Sequence, residues 1–335
     1  MDRIPAFELQ RPSSVEQALA LLAAPGARIL AGGTDLVPRL RRGLERPATL
    51  VELGGVKGLD VIEPEGAMLS IGAGTTLERL ARLVEGTGIA PGHAAVVEAA
   101  RTVAAPAHRS VATVGGNLCL DTRCVFYNQS EWWRAANHYC LKLGGDTCHV
   151  APQGARCHAA FSGDLAPALM VLGAEVELAS LHGTRRLPLA ELYRDDGAAH
   201  LALAPGELLL RVLVPKPAAG SVSGYRKSRV RGAIDFPLAG VALAVTMDHD
   251  RIAHLAVALT GTNSHPLRLA GTDALVGQAV DDAALVLLGK LVAKQVSPMR
   301  STVTPANYRR QVASVLAQRL LRELSGTPVA TAAMN

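Results

Sequence analysis

Five cysteines, Cys119, Cys124, Cys140, Cys148 and Cys157, all fall within residues 119–157 of a 335-residue chain. Buried free thiols normally scatter along a sequence, so this clustering needs a local cause. The same stretch is rich in rings: Phe126, Tyr127, Trp132, Trp133 and Tyr139. Thiolates hold soft metals, and an apolar aromatic shell excludes water and tunes a potential. Structural zinc usually takes ligands paired about two to four residues apart, yet no Cys-x-x-Cys occurs here. An odd cysteine count in a reducing compartment also argues against disulfides. From spacing alone three readings stay open: an iron–sulfur cluster, zinc completed by His138, His149 or His158, or thiols that hold nothing.

A second kind of chemistry is suggested by two glycine pairs. Ala31-Gly32-Gly33-Thr34-Asp35 follows an apolar strand pattern, and Thr113-Val114-Gly115-Gly116-Asn117 repeats the theme. Glycine lets backbone amides approach a ligand closely, so two such turns are suited to grip one diphosphate from two sides. Thr34, Thr113 and Asn117 add short polar groups. Neither turn has the G-x-G-x-x-G spacing of a Rossmann fold. The plainer reading is two tight turns that need positive φ.

The elements that must position these residues are readable in outline. Ser14-Val15-Glu16-Gln17 has the form of a capping box, followed by a helical face of Ala18, Leu21 and Leu22. Strands are expected at 28–31 and 49–53, and a short helix capped by Thr34 or Asp35 ends at Leu40. Val61-Ile62 and Met68 to Ile71 suggest a hairpin. Helices are expected at 76–83, 93–103 and 164–172, and strands at 175–179 and 208–214. Ala218-Ala219-Gly220-Ser221 reads as a linker. Beyond it lie a hairpin, 238–247 with 252–259, and helices at 281–294 and 305–324. The last of these carries a stripe of Val312, Val315, Leu316 and Leu320.

Hydrophobic residues make up 49% and charged residues 19%, which supports ordinary cores and excludes disorder. Aromatics are only 3%, so those cores must be built from Ala, Leu and Val. At about 150 residues per domain, the length suggests two. The net charge of +5 comes without any block of like charge. It argues against nucleic acid and only weakly for an acidic partner. No secretory signal pattern and no run of about 18 apolar residues is present. The expectation is a cytoplasmic protein with no membrane contact.

Three segments together carry a resemblance: Leu30-Ala31-Gly32-Gly33-Thr34-Asp35-Leu36, Arg109 to Leu118, and Ser162-Gly163-Asp164-Leu165-Ala166-Pro167-Ala168-Leu169. They resemble the flavin-binding subunits of the molybdenum hydroxylase family, and the similarity extends to Tyr225-Arg226-Lys227. It implies an α+β fold: a two-part FAD-binding domain of the PCMH type at 1–218, then a CO dehydrogenase flavoprotein-type domain at 222–326. It implies FAD on the two glycine turns. Ile29, Leu30, Ala31, Gly32, Gly33, Thr34, Asp35 and Leu36 would contribute from the first side. Val103, Thr113, Gly115, Gly116, Asn117, Asp164, Leu209 and Lys227 would contribute from the second. Asp164 alone reads as a helix N-cap. Arg229, Arg231 and Asp235 read as a structural charge set.

Typical members of that family run from Gly-Gly-Asn almost directly into Asp-Leu-Ala-Pro. Here an insertion at about 118–158 intervenes, and it is similar to that of the β subunits of 4-hydroxybenzoyl-CoA reductases. This resemblance implies a 4Fe-4S cluster on Cys124, Cys140, Cys148 and Cys157, with Cys119 left as a buried thiol. It implies an electron relay with no catalytic residue for the substrate. Reduced ferredoxin would be the donor, and a small 2Fe-2S subunit the next carrier. A molybdopterin-binding large subunit would dehydroxylate 4-hydroxybenzoyl-CoA, in a dimer of heterotrimers. Two alternatives come from other classes. One is the FAD subunit of an aldehyde- or heterocycle-oxidising hydroxylase. The other is a zinc-stabilised binding protein without redox chemistry.

Overall fold

In the computed structural model, which describes residues 4–83, 91–300, 302 and 304–326, the chain opens with a small parallel sheet. Strands β1 (Glu8–Gln10), β2 (Ala27–Leu30) and β3 (Thr49–Glu52) lie in the order β1-β3-β2. Helix α1 (Val15–Leu22) is capped by Ser14, whose Oγ accepts the Gln17 N–H. Gln17 reaches back as the pattern predicts, but to the N–H of Ser13 at 2.9 Å. Helix α2 (Leu36–Arg41) follows the first glycine turn.

A five-stranded sheet comes next, in the order β4 (Ile62–Glu65), β5 (Met68–Gly72), β8 (Leu208–Pro215), β6 (Glu175–Ser180) and β7 (Gly183–Pro188). Helices α3 (Leu77–Ala81), α4 (Ala94–Thr102), α5 (Pro106–Arg109) and α6 (Val114–Leu118) lie between β5 and the insertion. The insertion holds the short helix α7 (Glu131–Ala136), and α8 (Leu165–Met170) follows it. Its two ends meet: Arg123 and Ala160 exchange backbone hydrogen bonds of 2.9 and 2.8 Å. The path from α6 to α8 is therefore undisturbed by the added residues.

The third sheet, β12 (Leu267–Arg268), β11 (Arg251–Thr260), β10 (Ala239–Asp248) and β9 (Ser221–Ser228), packs on α9 (Asp282–Gln295) and α10 (Ala306–Leu324). Side chains alternate faces along a strand. Val241, Leu243, Val245, Leu255, Val257 and Leu259 join Leu288, Val292 and Leu320 in one core. Ala242, Ala244, Ala256 and Ala258 face the other way, into a larger core with Ala99, Leu165 and Leu169. The sheet is thus buried on both faces, and the alanine face lets α4 and α8 approach closely.

Three expectations need correction. The supposed linker is a tight turn: Gly220 takes φ +73° and Ser221 already opens β9. Ser223 on that strand accepts the Ala95 N–H at 3.0 Å and donates to Gly92 O at 2.7 Å, so the junction is packed. Strand β7 was missed because it is an exposed, arginine-bearing edge without an apolar face. The buried stripe of α10 is Arg309, Ala313, Ala317, Leu320 and Leu321, rotated from the expected one. Among the described residues no helix is long and apolar enough to cross a membrane.

Arg309 explains that rotation. It is fully buried, and its guanidinium donates to Leu238 O at 3.1 Å, to Met299 O at 3.1 Å and to Gly261 O. One side chain thereby ties the start of α10 to the ends of β10 and β11. Arg309→Leu would strand buried carbonyls, at about 1–3 kcal/mol each. The expected result is a lower urea midpoint with an unchanged slope.

Candidate functional site

The two glycine turns meet, but they are not equivalent. A Cβ built on Gly32 would lie 1.9 Å from Val111 O, so the first turn rests directly on the backbone leading into the second. Gly33 takes φ +70°, the one position of the four glycines that needs a left-handed residue. Among the described residues, the N–H groups of Gly32, Gly33, Thr34 and Asp35 have no hydrogen-bond acceptor. Consecutive unpartnered amides form an anion-binding concavity. In the second turn the glycines sit inside α6, and their amides are taken. Gly115 donates to Ala73 O at 2.8 Å, and Gly116 donates to the capping Thr113 Oγ1 at 3.1 Å. Gly115 is needed for space, since its Cβ would sit 2.9 Å from that of Ala73. Gly116 remains exposed.

Asn117 also has a role inside the fold. Its Oδ1 accepts the Leu165 N–H at 3.0 Å, satisfying the first amide of α8. Asp164 is therefore released from capping and makes no cap bond. Its carboxylate accepts from Tyr225 Oη at 2.6 Å and pairs with Lys227 Nζ at 2.9 Å. The Asp164 and Lys227 side chains are only 3% and 2% exposed. Burial, with the carboxylate beside it, keeps the Tyr225 hydroxyl protonated, its pKa well above the ordinary value. Lys227 also reaches Thr102 O at 3.3 Å, next to Val103, whose carbonyl accepts from Arg109. Ile29 and Leu30 lie on β2, partly buried. Leu209 is core, one residue before Leu210, whose carbonyl takes the Ala73 N–H at 2.8 Å. Arg231 and Asp235 pair with each other, as a structural set should. Tyr225 was the residue missed as a site member; its burial depends on Gly240, the cross-strand partner of Lys227, where a Cβ would strike the hydroxyl at 2.1 Å.

The insertion brings Cys124, Cys140, Cys148 and Cys157 to the wall of one cavity, with Phe126, Tyr127, Lys142 and His149. Cys124, Cys140 and Cys148 each open a tight turn, their carbonyls accepting from Asn128, Leu143 and Ala151 at 2.8–3.0 Å, while the Cys157 carbonyl accepts from the distant Gly197 at 2.9 Å. His138 and Tyr139 both take left-handed φ, 56° and 59°, which turns the chain back to deliver Cys140. Ala159 N–H donates to Cys157 Sγ at 3.4 Å. Phe126, Trp133 and His149 stack around the cage, with ring centroids 5.6–6.5 Å apart. Of the three histidines weighed for zinc, only His149 lines the cavity, and its Nε2 is tied to Tyr139 O. Burial pushes Cys157 up to about 11 and raises Cys124. Cys119 stands apart, packed against the main core, and burial takes it to about 12. Among the described residues, no three His, Cys, Asp or Glu side chains converge as they must around a single ion.

Charges join cage and turn. Arg123, one residue before Cys124, pairs with Asp35 of the first turn. Asp121 accepts from Lys142 at 2.7 Å and from Tyr127 at 3.2 Å, and pairs with Arg39 on α2 at 3.2 Å. Burial pushes the Asp121 carboxyl pKa up, but the two cations outweigh it and hold it below the ordinary value. Arg134, buried in α7, donates to Arg42 O at 3.1 Å and pins the insertion to the end of α2.

The sequence matches the FAD binding domain in molybdopterin dehydrogenase over residues 5–217, and the CO dehydrogenase flavoprotein C-terminal domain over 223–324. The chain belongs to the FAD-binding subunits of the molybdenum hydroxylase family. This flavin subunit is 33% identical to the aldehyde oxidoreductase FAD-binding subunit PaoB of Escherichia coli, across 93% of this chain and 98% of that one. It is 31% identical to the carbon monoxide dehydrogenase medium chain of Afipia carboxidovorans, across 94% and 95%. Its fold matches a chain of reconstituted CO dehydrogenase from Oligotropha carboxidovorans with a TM-score of 0.79 and 27% identity, covering 97% and 100%. The α+β, two-part flavoprotein fold is therefore as expected. The free amides of the first turn and the bare surface of Gly116 fit the diphosphate of FAD. Cys124, Cys148 and Cys157 are buried and Cys140 partly so, and all four lie on the wall of one cavity.

Gly32→Ala is expected to cost about 1–3 kcal/mol by overpacking against Val111 and to lower the flavin retained per chain, read from released FAD. A pH effect follows from His200, which is buried with Nε2 donating to Leu120 O at 2.9 Å. Burial lowers its pKa to about 4. The fold favours the neutral ring, so this contribution is complete above the unfolded value of about 6.5 and is lost as pH falls toward 4. His200→Gln should flatten that limb of a plot of urea midpoint against pH.

Proposed function

We propose that this chain is the electron-relay subunit of an enzyme of the 4-hydroxybenzoyl-CoA reductase type. Residues 1–218 would hold FAD and the cluster insertion, and 222–326 would close the far side of the flavin site. The observation that carries the reading is the convergence of Cys124, Cys140, Cys148 and Cys157, spread along the insertion, on one aromatic-walled cavity. Four thiols without single-ion spacing suit a wider inorganic group, such as a 4Fe-4S cluster, better than zinc. When bound, such a cluster and FAD supply one-electron and one- or two-electron transfer respectively.

The chain's own residues would then act as follows. Gly32, Gly33, Thr34 and Asp35 donate backbone N–H groups to the diphosphate, and Gly116 leaves room beside it. Asp164, fixed by Tyr225 and Lys227, places a compensated charge near the flavin. Phe126, Trp133 and His149 keep water from the thiolates. No residue of this chain is assigned to the organic substrate. The partners in this reading are a molybdopterin-binding large subunit, a small 2Fe-2S subunit and a ferredoxin donor, in a dimer of heterotrimers. A second reading is favoured by the names of the relatives: the flavin subunit of a hydroxylase that oxidises an aldehyde or a heterocycle.

Anaerobically purified protein is expected to contain about four iron and four sulfide per FAD. Cys148→Ser should lose iron and sulfide while keeping flavin. Zinc without sulfide overturns the cluster. In the reconstituted complex, reduced ferredoxin should drive formation of benzoyl-CoA from 4-hydroxybenzoyl-CoA. Aldehyde oxidation in its absence selects the second reading.

A further inference from the structure

Among the described residues, Lys142 is the lysine or arginine that lines the four-cysteine cavity. Long cationic side chains normally extend to carry the charge into water, but this one points inward, 7% exposed, into the wall of the four-cysteine cavity. Its Nζ donates to Asp121 Oδ1 at 2.7 Å, Thr122 O at 3.0 Å and Gly197 O at 3.0 Å, and stands 4.6 Å from the Tyr127 ring centroid. Asp121, Thr122 and Tyr127 on one segment and Gly197 on another fix the ammonium in place. Asp121 is shared with Arg39, which also lies 3.7 Å from Asp35 of the flavin turn.

We propose that Lys142 sets the reduction potential of the group held by the four thiolates, raising it through a fixed positive charge that Asp121 partly offsets. This rests on the cluster reading above. Reduction adds one electron to an already anionic cage. A cation held beside that cage in a poorly solvated site stabilises the reduced form more than the oxidised one. Lys142 ligates nothing; it acts through its charge alone. Asp121 has the opposite influence, and its removal uncovers both Lys142 and Arg39.

The test is a redox titration of the assembled complex, followed by the paramagnetic resonance of the reduced cluster, with iron and sulfide measured in every sample. Lys142→Gln should retain the cluster and lower the reduced-to-oxidised ratio at a fixed potential about tenfold, about 59 mV for one electron. Lys142→Arg should restore it. Asp121→Asn should shift the potential the opposite way, a sign that packing damage does not predict. No shift, or shifts of the same sign in both variants with the cluster retained, overturns the proposal. If Lys142→Gln loses its iron, Asp121→Asn decides, and an unchanged or lowered potential is fatal. Wild-type protein without iron and sulfide overturns the cluster reading itself, and this inference with it.

Discussion

One buried carboxylate, Asp121, holds the working parts together. It takes Lys142 from the cysteine insertion, Tyr127 from the cavity wall and Arg39 from the helix behind the first glycine turn. Burying an ion is costly unless it is paired and hydrogen-bonded. Each of these cations therefore needs Asp121 in place, and Asp121 needs them. The insertion cannot slide relative to the glycine turn without breaking the set, and the Arg123–Asp35 pair adds a second tie at the same seam.

The same economy governs the flavin side. A helix start leaves amides that need acceptors. At α8 the first of them goes to Asn117, so Asp164 is free to form a buried pair with Lys227. Tyr225 completes that pair and needs Gly240 as its neighbour. The first glycine turn is the exception: among the described residues, the N–H groups of Gly32, Gly33, Thr34 and Asp35 have no acceptor. Consecutive amides left free in this way are suited to the oxygens of an anion.

Packing supplies the rigid frame. With few aromatic residues, the chain relies on alternation of size: alanines on one face of β10 and β11, branched residues on the other. This joins the two parts of the molecule through a shared core instead of a flexible connection. It also places Lys227 and Tyr225, on β9, against α4 and the start of α8.

Much of this was legible in the sequence. The clustered cysteines and rings pointed to one shared pocket, the glycine pairs announced close backbone approach, and strand and helix periods located most elements. These are local properties, fixed by residue type and spacing. What was not legible depended on contacts between distant segments. That Asn117 and not Asp164 serves α8, that Lys142 turns inward, and that the second glycine pair spends its amides inside the chain are settled by which groups compete for the same partner. The linker reading failed for the same reason: Ala, Gly and Ser look flexible until their turn closes and the strand beyond it is bonded to a neighbouring helix. Sequence determined which groups were available to be satisfied; only the tertiary structure decided which partner satisfied each, because burial makes an unmet polar group too costly to leave.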